Sequence, residues 1–278
     1  MPASAGNAAG LEARGISHAF RGNIVLRGID LSIPEGQLVA LLGPSGSGKT
    51  TLLRLLAGLE RPTEGRVSWK GREIGEPGIE RGVVFQDYSL FPWMKVSDNL
   101  VLAIRKAFPG KPRAEQLALA EDYLEMVGLS GSASKYPYQL SGGMQQRGAI
   151  ARALAIGSPV LLMDEPFGAL DPLNRIRLQD LLAEVREAAQ PRKTILFVTH
   201  DVDEAIFLGD RVVVLGASPG RVIADLPVSH HRGVSPRDRR AAIGEFRSLR
   251  EQISDLYRED VLNRLEEPTM VAGSAEGI

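Results

Sequence analysis

Gly43-Pro44-Ser45-Gly46-Ser47-Gly48-Lys49-Thr50-Thr51 follows the apolar run Leu38-Val39-Ala40-Leu41-Leu42 and leads straight into Leu52-Leu53-Arg54-Leu55-Leu56-Ala57. A buried strand, a glycine-rich loop and a helix start in that order are the setting a phosphate-binding loop requires. Glycines let the backbone curl until several N–H groups point at one anion, and the new helix adds its positive end. Lys49 is then placed to meet the β- and γ-phosphates, and Thr50 to offer its hydroxyl to Mg2+. A chance match to this spacing is expected in roughly one percent of chains of this length. The flanking strand and helix lower that further, so the stretch predicts nucleotide binding.

The remaining composition sets bounds. At 278 residues the chain can bury a full core. A hydrophobic content of 44% and a charged content of 24% are ordinary for a globular protein. A formal charge of −1 gives no reason to expect a nucleic-acid partner. The absence of cysteine excludes disulfides and thiol chemistry and fits a reducing compartment. Residues 1–10 lack a basic start and an apolar stretch, which predicts a disordered tail rather than a signal peptide. No apolar run approaches the roughly 18 residues that cross a bilayer.

Working outward, Leu11 to Phe20 and Ile24 to Ile33 read as strands broken by Arg21-Gly22-Asn23. Further strands are predicted at Leu38–Leu42, Arg66–Trp69, Gly82–Phe85, Val160–Met163, Thr194–Val198, Arg211–Leu215 and Arg221–Leu226. Helices are predicted at Gly48–Gly58, Asp98–Ala107, Arg113–Val127, Ser141–Ile156, Pro172–Ala189 and Asp201–Leu208. The alternation argues for an α/β fold with a mainly parallel sheet, an N-terminal β subdomain and a helical insert over about 87–157. The main domain is expected over 11–230. Ile243, Phe246, Leu249, Ile253 and Leu256 form an apolar stripe in a helical extension over 231–267, expected to dock on the protein's own body. Residues 268–278 read as a second tail, and His230-His231 as a solvated pair in a polar link.

Two further stretches carry chemistry. Val160-Leu161-Leu162-Met163-Asp164-Glu165 is an apolar strand ending in two acids, where ligands of open α/β sheets bind. Asp164 can hold Mg2+ beside Thr50, and Glu165 can orient or deprotonate a water attacking the γ-phosphorus. In Leu140-Ser141-Gly142-Gly143-Met144-Gln145-Gln146-Arg147, Ser141 is a helix N-cap. Two glycines in a first turn cost about 1 kcal/mol each against alanine, which suggests a second anion cradle.

Together these residues resemble the ATP-binding subunit of an ABC transporter, a P-loop NTPase. Gly43–Thr51 is similar to the Walker A loop, Leu140–Arg147 to the signature motif and Val160–Glu165 to the Walker B strand. Gly168-Ala169-Leu170-Asp171 resembles the D-loop, His200 the switch histidine and Gln86 the Q-loop residue. Phe20 stands where the family stacks an aromatic on adenine, without the hydroxyl of the commoner tyrosine. The resemblance implies a head-to-tail dimer, here a homodimer. ATP lies between one subunit's Walker A loop and Ser141, Gly142, Gly143 and Asp171 of the other. Gln86 senses Mg2+ and the attacking water, and His200 contacts the γ-phosphate.

DNA-repair members of the family separate Walker A from the signature by hundreds of residues, whereas roughly ninety lie between Lys49 and Ser141. Translation-type members carry two cassettes, and this chain has one. The apolar Leu90-Phe91-Pro92-Trp93, followed by Val96 and Asp98-Asn99, resembles the groove that takes a cytoplasmic helix of an integral membrane permease. That form, with Ser218-Pro219-Gly220-Arg221-Val222-Ile223, is most similar to the nitrate, sulfonate and taurine importers. The resemblance implies a peripheral place on the cytoplasmic face of the cell membrane and an extracytoplasmic solute-binding protein in the full complex. The solute itself never touches this chain.

Overall fold

The computed structural model describes residues 9–228 and 243–266. Expectations for both tails and for His230-His231 concern residues outside that set. The first strands, β1 (Ala9–Phe20) and β2 (Asn23–Pro34), pair antiparallel. They meet in a two-residue turn whose Arg21 and Gly22 both have positive φ, 50° and 88°, the twist-matched hairpin geometry. β1 begins at Ala9, inside the stretch expected as tail. The carbonyl of Gly10 accepts from Lys70 N at 2.7 Å, and its Cα lies too close to Ile33 and Trp69 to carry a side chain.

β3 (Leu38–Leu42) leads into α1 (Lys49–Ala57), which ends at Gly58 with φ 74°. There Gly58 N and Leu59 N donate back to Leu55 O and Arg54 O, both at 3.0 Å, satisfying the last carbonyls. β4 (Glu64–Trp69), β5 (Arg72–Glu73) and β6 (Arg81–Val84) follow. Sequence reading missed β5; its signal was Lys70-Gly71, a second positive-φ turn. The helical insert comprises α2 (Val96–Ala107), α3 (Arg113–Met126) and α4 (Gly142–Ala155). Then come β7 (Val160–Asp164), α5 (Pro172–Ala188), β8 (Thr194–Thr199), α6 (Val202–Leu208), β9 (Arg211–Leu215), β10 (Val222–Pro227) and α7 (Ile243–Glu266).

The strands make two sheets: a four-stranded one ordered β2-β1-β4-β5 and a six-stranded one ordered β10-β9-β3-β8-β7-β6. In the larger, β9, β3, β8, β7 and β6 run parallel, and β10 is an antiparallel edge. Its central strands are apolar on both faces, and alternate residues enter two different cores. Val39, Leu41, Leu162, Leu196 and Val213 face α1 and the antiparallel sheet. Leu38, Ala40, Leu161, Phe197 and Val212 face the helices. Fully burying a side chain of this kind stabilises the fold by about 1.5–3 kcal/mol, so the register of β3, β7 and β8 is firmly set. The carboxyl ends of these strands therefore stand side by side, the position at which open α/β sheets bind ligands.

Small residues let α4 approach closely: Ala149, Ala151, Ala153 and Ala155 are buried, and a Cβ on Gly148 would stand 3.3 Å from Leu90 Cδ1. The expected stripe of α7 seats Leu249 and Ile253 in the helix-side core, with Phe246 and Tyr257 against it. Among the described residues no helix is long and apolar enough to cross a membrane.

Candidate active site

All five residues of β3 are buried, and the chain then turns through Gly46 (φ 78°) and Gly48 (φ 85°) into α1. These left-handed conformations suit glycine. Gly43 is needed for space instead: a Cβ there would lie 2.6 Å from Ser47 Oγ and 3.1 Å from Leu215 O. Lys49 is buried, and its Nζ donates to Gly43 O and Pro44 O, each at 2.8 Å. Burial lowers its pKa, while Glu165 and Asp164 pull it back up. Its ammonium is thus held over the loop with no counter-charge in contact among the described residues, a poised site for an anion. Ser45, Thr50 and Thr51 complete the turn and the first helical residues.

β7 delivers Asp164 and Glu165 to the same edge. Asp164 is 3% exposed, and its Oδ1 has no hydrogen-bond partner among the described residues. Burial pushes its carboxyl above the ordinary range, with a hydrogen bond from Thr50 acting the other way. A buried carboxylate with a free oxygen beside a threonine hydroxyl is a hard, oxygen-only donor pair. Ser47 Oγ is a second buried, unpartnered oxygen in the loop. These orphaned atoms fit Mg2+ and a phosphate.

Glu165 adopts φ 45°, unusual for a residue with a side chain. Its N–H donates to Val198 O at 3.1 Å and its carbonyl accepts from Gly168 N at 3.2 Å, which holds the conformation. The carboxylate consequently reaches two neighbouring strand ends. Gln86 Nε2 donates to Oε2 at 3.4 Å, and His200 Nδ1 lies 3.3 Å from Oε1. A cavity of about 70 Å3 beside them is lined by Glu165, Gly168, Thr199 and His200 among others, and one water needs only about 10–15 Å3. Thr199 Oγ1 accepts from Asp201 N at 3.0 Å and donates to Glu204 Oε2 at 2.8 Å, fixing the turn that carries His200. Asp201, not His200, caps α6.

Ser141 to Gly143 and Asp171 form a separate group. Ser141 Oγ accepts from Met144 N at 3.3 Å, an N-cap on α4. A Cβ on Gly143 would stand 3.2 Å from Ala169 O, and one on Gly142 3.0 Å from Tyr88 Oη. Close packing on 169–170 thus already calls for a small residue at 143, a reason that sequence reading assigned wholly to an anion. Asp171 caps α5 through Asn174, with contacts of 3.1 and 2.6 Å, and these bonds lower its pKa. Phe20 is exposed at the end of β1, edge-on to His18 at 4.6 Å. It lies on the hairpin whose Val25 and Leu26 face Gly48.

After Gln86 the chain forms a fixed platform. Tyr88 and Ser89 have positive φ, 65° and 47°, and Arg152 Nη1 donates to Ser89 O at 2.6 Å. Asn99 is fully buried; its Oδ1 accepts from Phe91 N at 2.8 Å and its amide faces the carbonyls of Phe91, Met94 and Lys95. This holds up Phe91 and Trp93, 36% and 72% exposed with rings 5.5 Å apart. The sequence offered no sign of Arg152 as a support.

A family profile described as ABC transporter matches residues 26–168. The nitrate import ATP-binding protein NrtD of Synechococcus elongatus is 44% identical over 84% of this chain and 85% of its own. The bicarbonate transport ATP-binding protein CmpC of the same species is 50% identical over 73% of this chain, a match that spans 30% of that longer protein. Among solved structures, a dimeric post-hydrolysis state of the ATP-binding cassette MJ0796 bound to ADP and Pi superposes with a TM-score of 0.73. It is 31% identical, and the match covers 78% of this chain and 98% of that one.

Proposed function

We propose, for a chain that belongs to the ABC transporter ATP-binding family, that it is the ATP-hydrolysing subunit of an importer for a small solute. The observation that carries this is Glu165, held at a positive φ between Gln86 and His200 beside Lys49 and Asp164. Loop amides from Gly43 to Thr51 and the Lys49 ammonium bind the β- and γ-phosphates. Asp164, Thr50 and Gln86 would hold Mg2+, which when bound neutralises charge on those phosphates. Glu165 orients a water and takes its proton as the water oxygen bonds to the γ-phosphorus. The bond to the β–γ bridging oxygen breaks, releasing ADP and phosphate. His200 donates to the γ-phosphate and keeps the Glu165 carboxylate aimed.

A second copy of the chain completes the site. Its Ser141, Gly142 and Gly143 present the start of α4 to the terminal phosphate, with Asp171 alongside, while Phe20 stacks on the adenine. Closing on ATP and opening after hydrolysis drives the permease, which docks at Phe91 and Trp93. The protein works at the cytoplasmic face of the cell membrane, with an extracytoplasmic solute-binding protein in the full complex. The nitrate and bicarbonate roles named for its relatives support a small oxyanion as solute, with sulfonates or taurine in the same class.

The test is phosphate release by the purified chain beside its Glu165→Gln variant. The variant is expected to bind ATP normally, lose nearly all turnover, and elute as a dimer in ATP. Retained turnover removes Glu165 from its role, and a monomer at saturating ATP removes the two-copy site.

A further inference from the structure

The turn Gly216–Arg221 between β9 and β10 lies directly against the phosphate loop. Gly220 N donates to Val25 O at 2.7 Å and Gly220 O accepts from Arg27 N at 2.9 Å, which pins the turn to β2. A Cβ on Gly220 would overlap the Ser47 carbonyl, so backbone meets backbone there. The strand end before the turn touches the loop as well, through Leu215 and Gly43. Any shift of this turn is passed to Ser47, and Ser47 precedes the first N–H groups of α1.

The turn is in turn gripped from behind by α7. Asp260 is 5% exposed; its Oδ2 accepts from Ala217 N at 2.9 Å and its Oδ1 from Arg221 Nη2 at 3.1 Å. A Cβ on Gly216 would stand 2.8 Å from Asp260 Oδ1, so the carboxylate is seated on the turn backbone. A buried carboxylate held by charge-assisted bonds is costly to leave unpaired. Earlier in the same helix Ile253 is fully buried and Arg250 pairs with Asp203 of α6.

We infer that Asp260 is a positioning residue for ATP binding, acting through Gly220 on Ser47, and that α7 is a working part of the nucleotide site. This rests on the reading of Gly43–Thr51 as the phosphate-binding loop. The effect belongs on affinity, because the loop amides grip phosphates in the ground state, while Glu165 and His200 are carried by other strands.

The experiment measures ATP affinity by calorimetry, and KM and kcat by phosphate release, on full-length chains. Asp260→Ala is expected to raise Kd and KM about five- to tenfold with kcat within about twofold. Asp260→Asn, which keeps an acceptor for Ala217 N, should recover most of the loss. Gly220→Ala leaves α7 unaltered and should weaken ATP by pressing on Ser47 directly, which checks the turn-to-loop link. Arg221→Ala, which removes the partner of Asp260 Oδ1, should raise Kd in the same direction and carries the test of Asp260 if Asp260→Ala fails to fold. Lys49→Ala serves as the control. Unchanged ATP affinity in Gly220→Ala and Asp260→Ala while Lys49→Ala loses binding overturns the inference alone. A lowered thermal midpoint in Asp260→Ala at unchanged Kd does the same, reducing Asp260 to a docking residue. Equal ATP binding by Lys49→Ala and the unaltered chain would overturn the phosphate-loop reading beneath it.

Discussion

His200 Nδ1 lies 3.3 Å from Glu165 Oε1, and the two residues come from the ends of adjacent strands, β8 and β7. The histidine is largely exposed, whereas the glutamate is fixed by its own backbone bonds. Removing the imidazole therefore leaves Glu165 in place but loosens its aim and, on the proposed function, deletes a γ-phosphate contact. For His200→Ala we expect kcat to fall about 100- to 1,000-fold with ATP affinity changed little. Stopped-flow phosphate release together with calorimetry checks both halves, and a rise in Kd matching the fall in kcat would contradict it.

On the proposed function Lys49 redirects its donors when nucleotide binds. In this structure two of them reach Gly43 O and Pro44 O, neutral acceptors that phosphate oxygens outcompete. Lys49→Ala should weaken ATP binding by about 100-fold, read by calorimetry at constant Mg2+. The protein should remain folded, since the alanine stays compatible with α1.

Asn99 was legible only as one residue of the importer-like stretch, yet it is the pin of the platform. Its amide answers Phe91, Met94 and Lys95 from a fully buried position. Asn99→Ala removes the partner of Phe91 N and one donor to Met94 O, while Phe91 O and Lys95 O keep Met94 N and Asn99 N, and should cost about 2–3 kcal/mol, measured by urea unfolding. A loss below about 1 kcal/mol would mean that water replaces the amide.

The strand–loop–helix at 38–57 and the acids at 164–165 were readable because each depends on local patterning. Their meeting with Gln86 and His200 came only through the family resemblance and not from local patterning, since it depends on the strand order β3-β8-β7-β6. The positive φ of Glu165 left no trace in residue type, because a tertiary bond to Val198 O enforces it. Asp260 did leave one. It stands seven residues after Ile253, on the apolar stripe of α7, and an acid at such a position signals a specific buried partner. The paired glycines at 142–143 carry a second reason beside the expected anion cradle: close contact of position 143 with Ala169, a residue distant in sequence, is a packing demand that no local pattern displays.

Glu204 offers a pH test. Burial raises its carboxyl pKa, with the Thr199 hydroxyl and Arg175 pulling the other way. A carboxyl raised in the folded state favours folding when protonated, and that contribution is lost as pH rises through the folded value. Glu204→Gln keeps an acceptor for Thr199 and removes the charge. It should therefore raise the thermal midpoint at pH 8 and give no gain near pH 4. Equal effects at both pH values would show that the Arg175 pair, at 3.6 Å, cancels the effect of burial, and a lowered midpoint at pH 8 that it outweighs it.

Trp93 is 72% exposed, with its ring 5.5 Å from that of Phe91. Truncating it removes little buried surface, so Trp93→Ala should change the unfolding midpoint negligibly and leave ATP turnover of the free chain intact. A permease helix seated there would lose an aromatic anchor, typically worth about 2 kcal/mol or more. Co-purification from membranes expressing the cognate permease should then fall by at least about tenfold. Phe91→Ala serves as a second probe, because Arg152 stands over that ring at 5.8 Å and must reorganise. Undiminished co-purification in both variants would place the permease contact elsewhere, while loss in Trp93→Ala alone would centre it on the exposed indole.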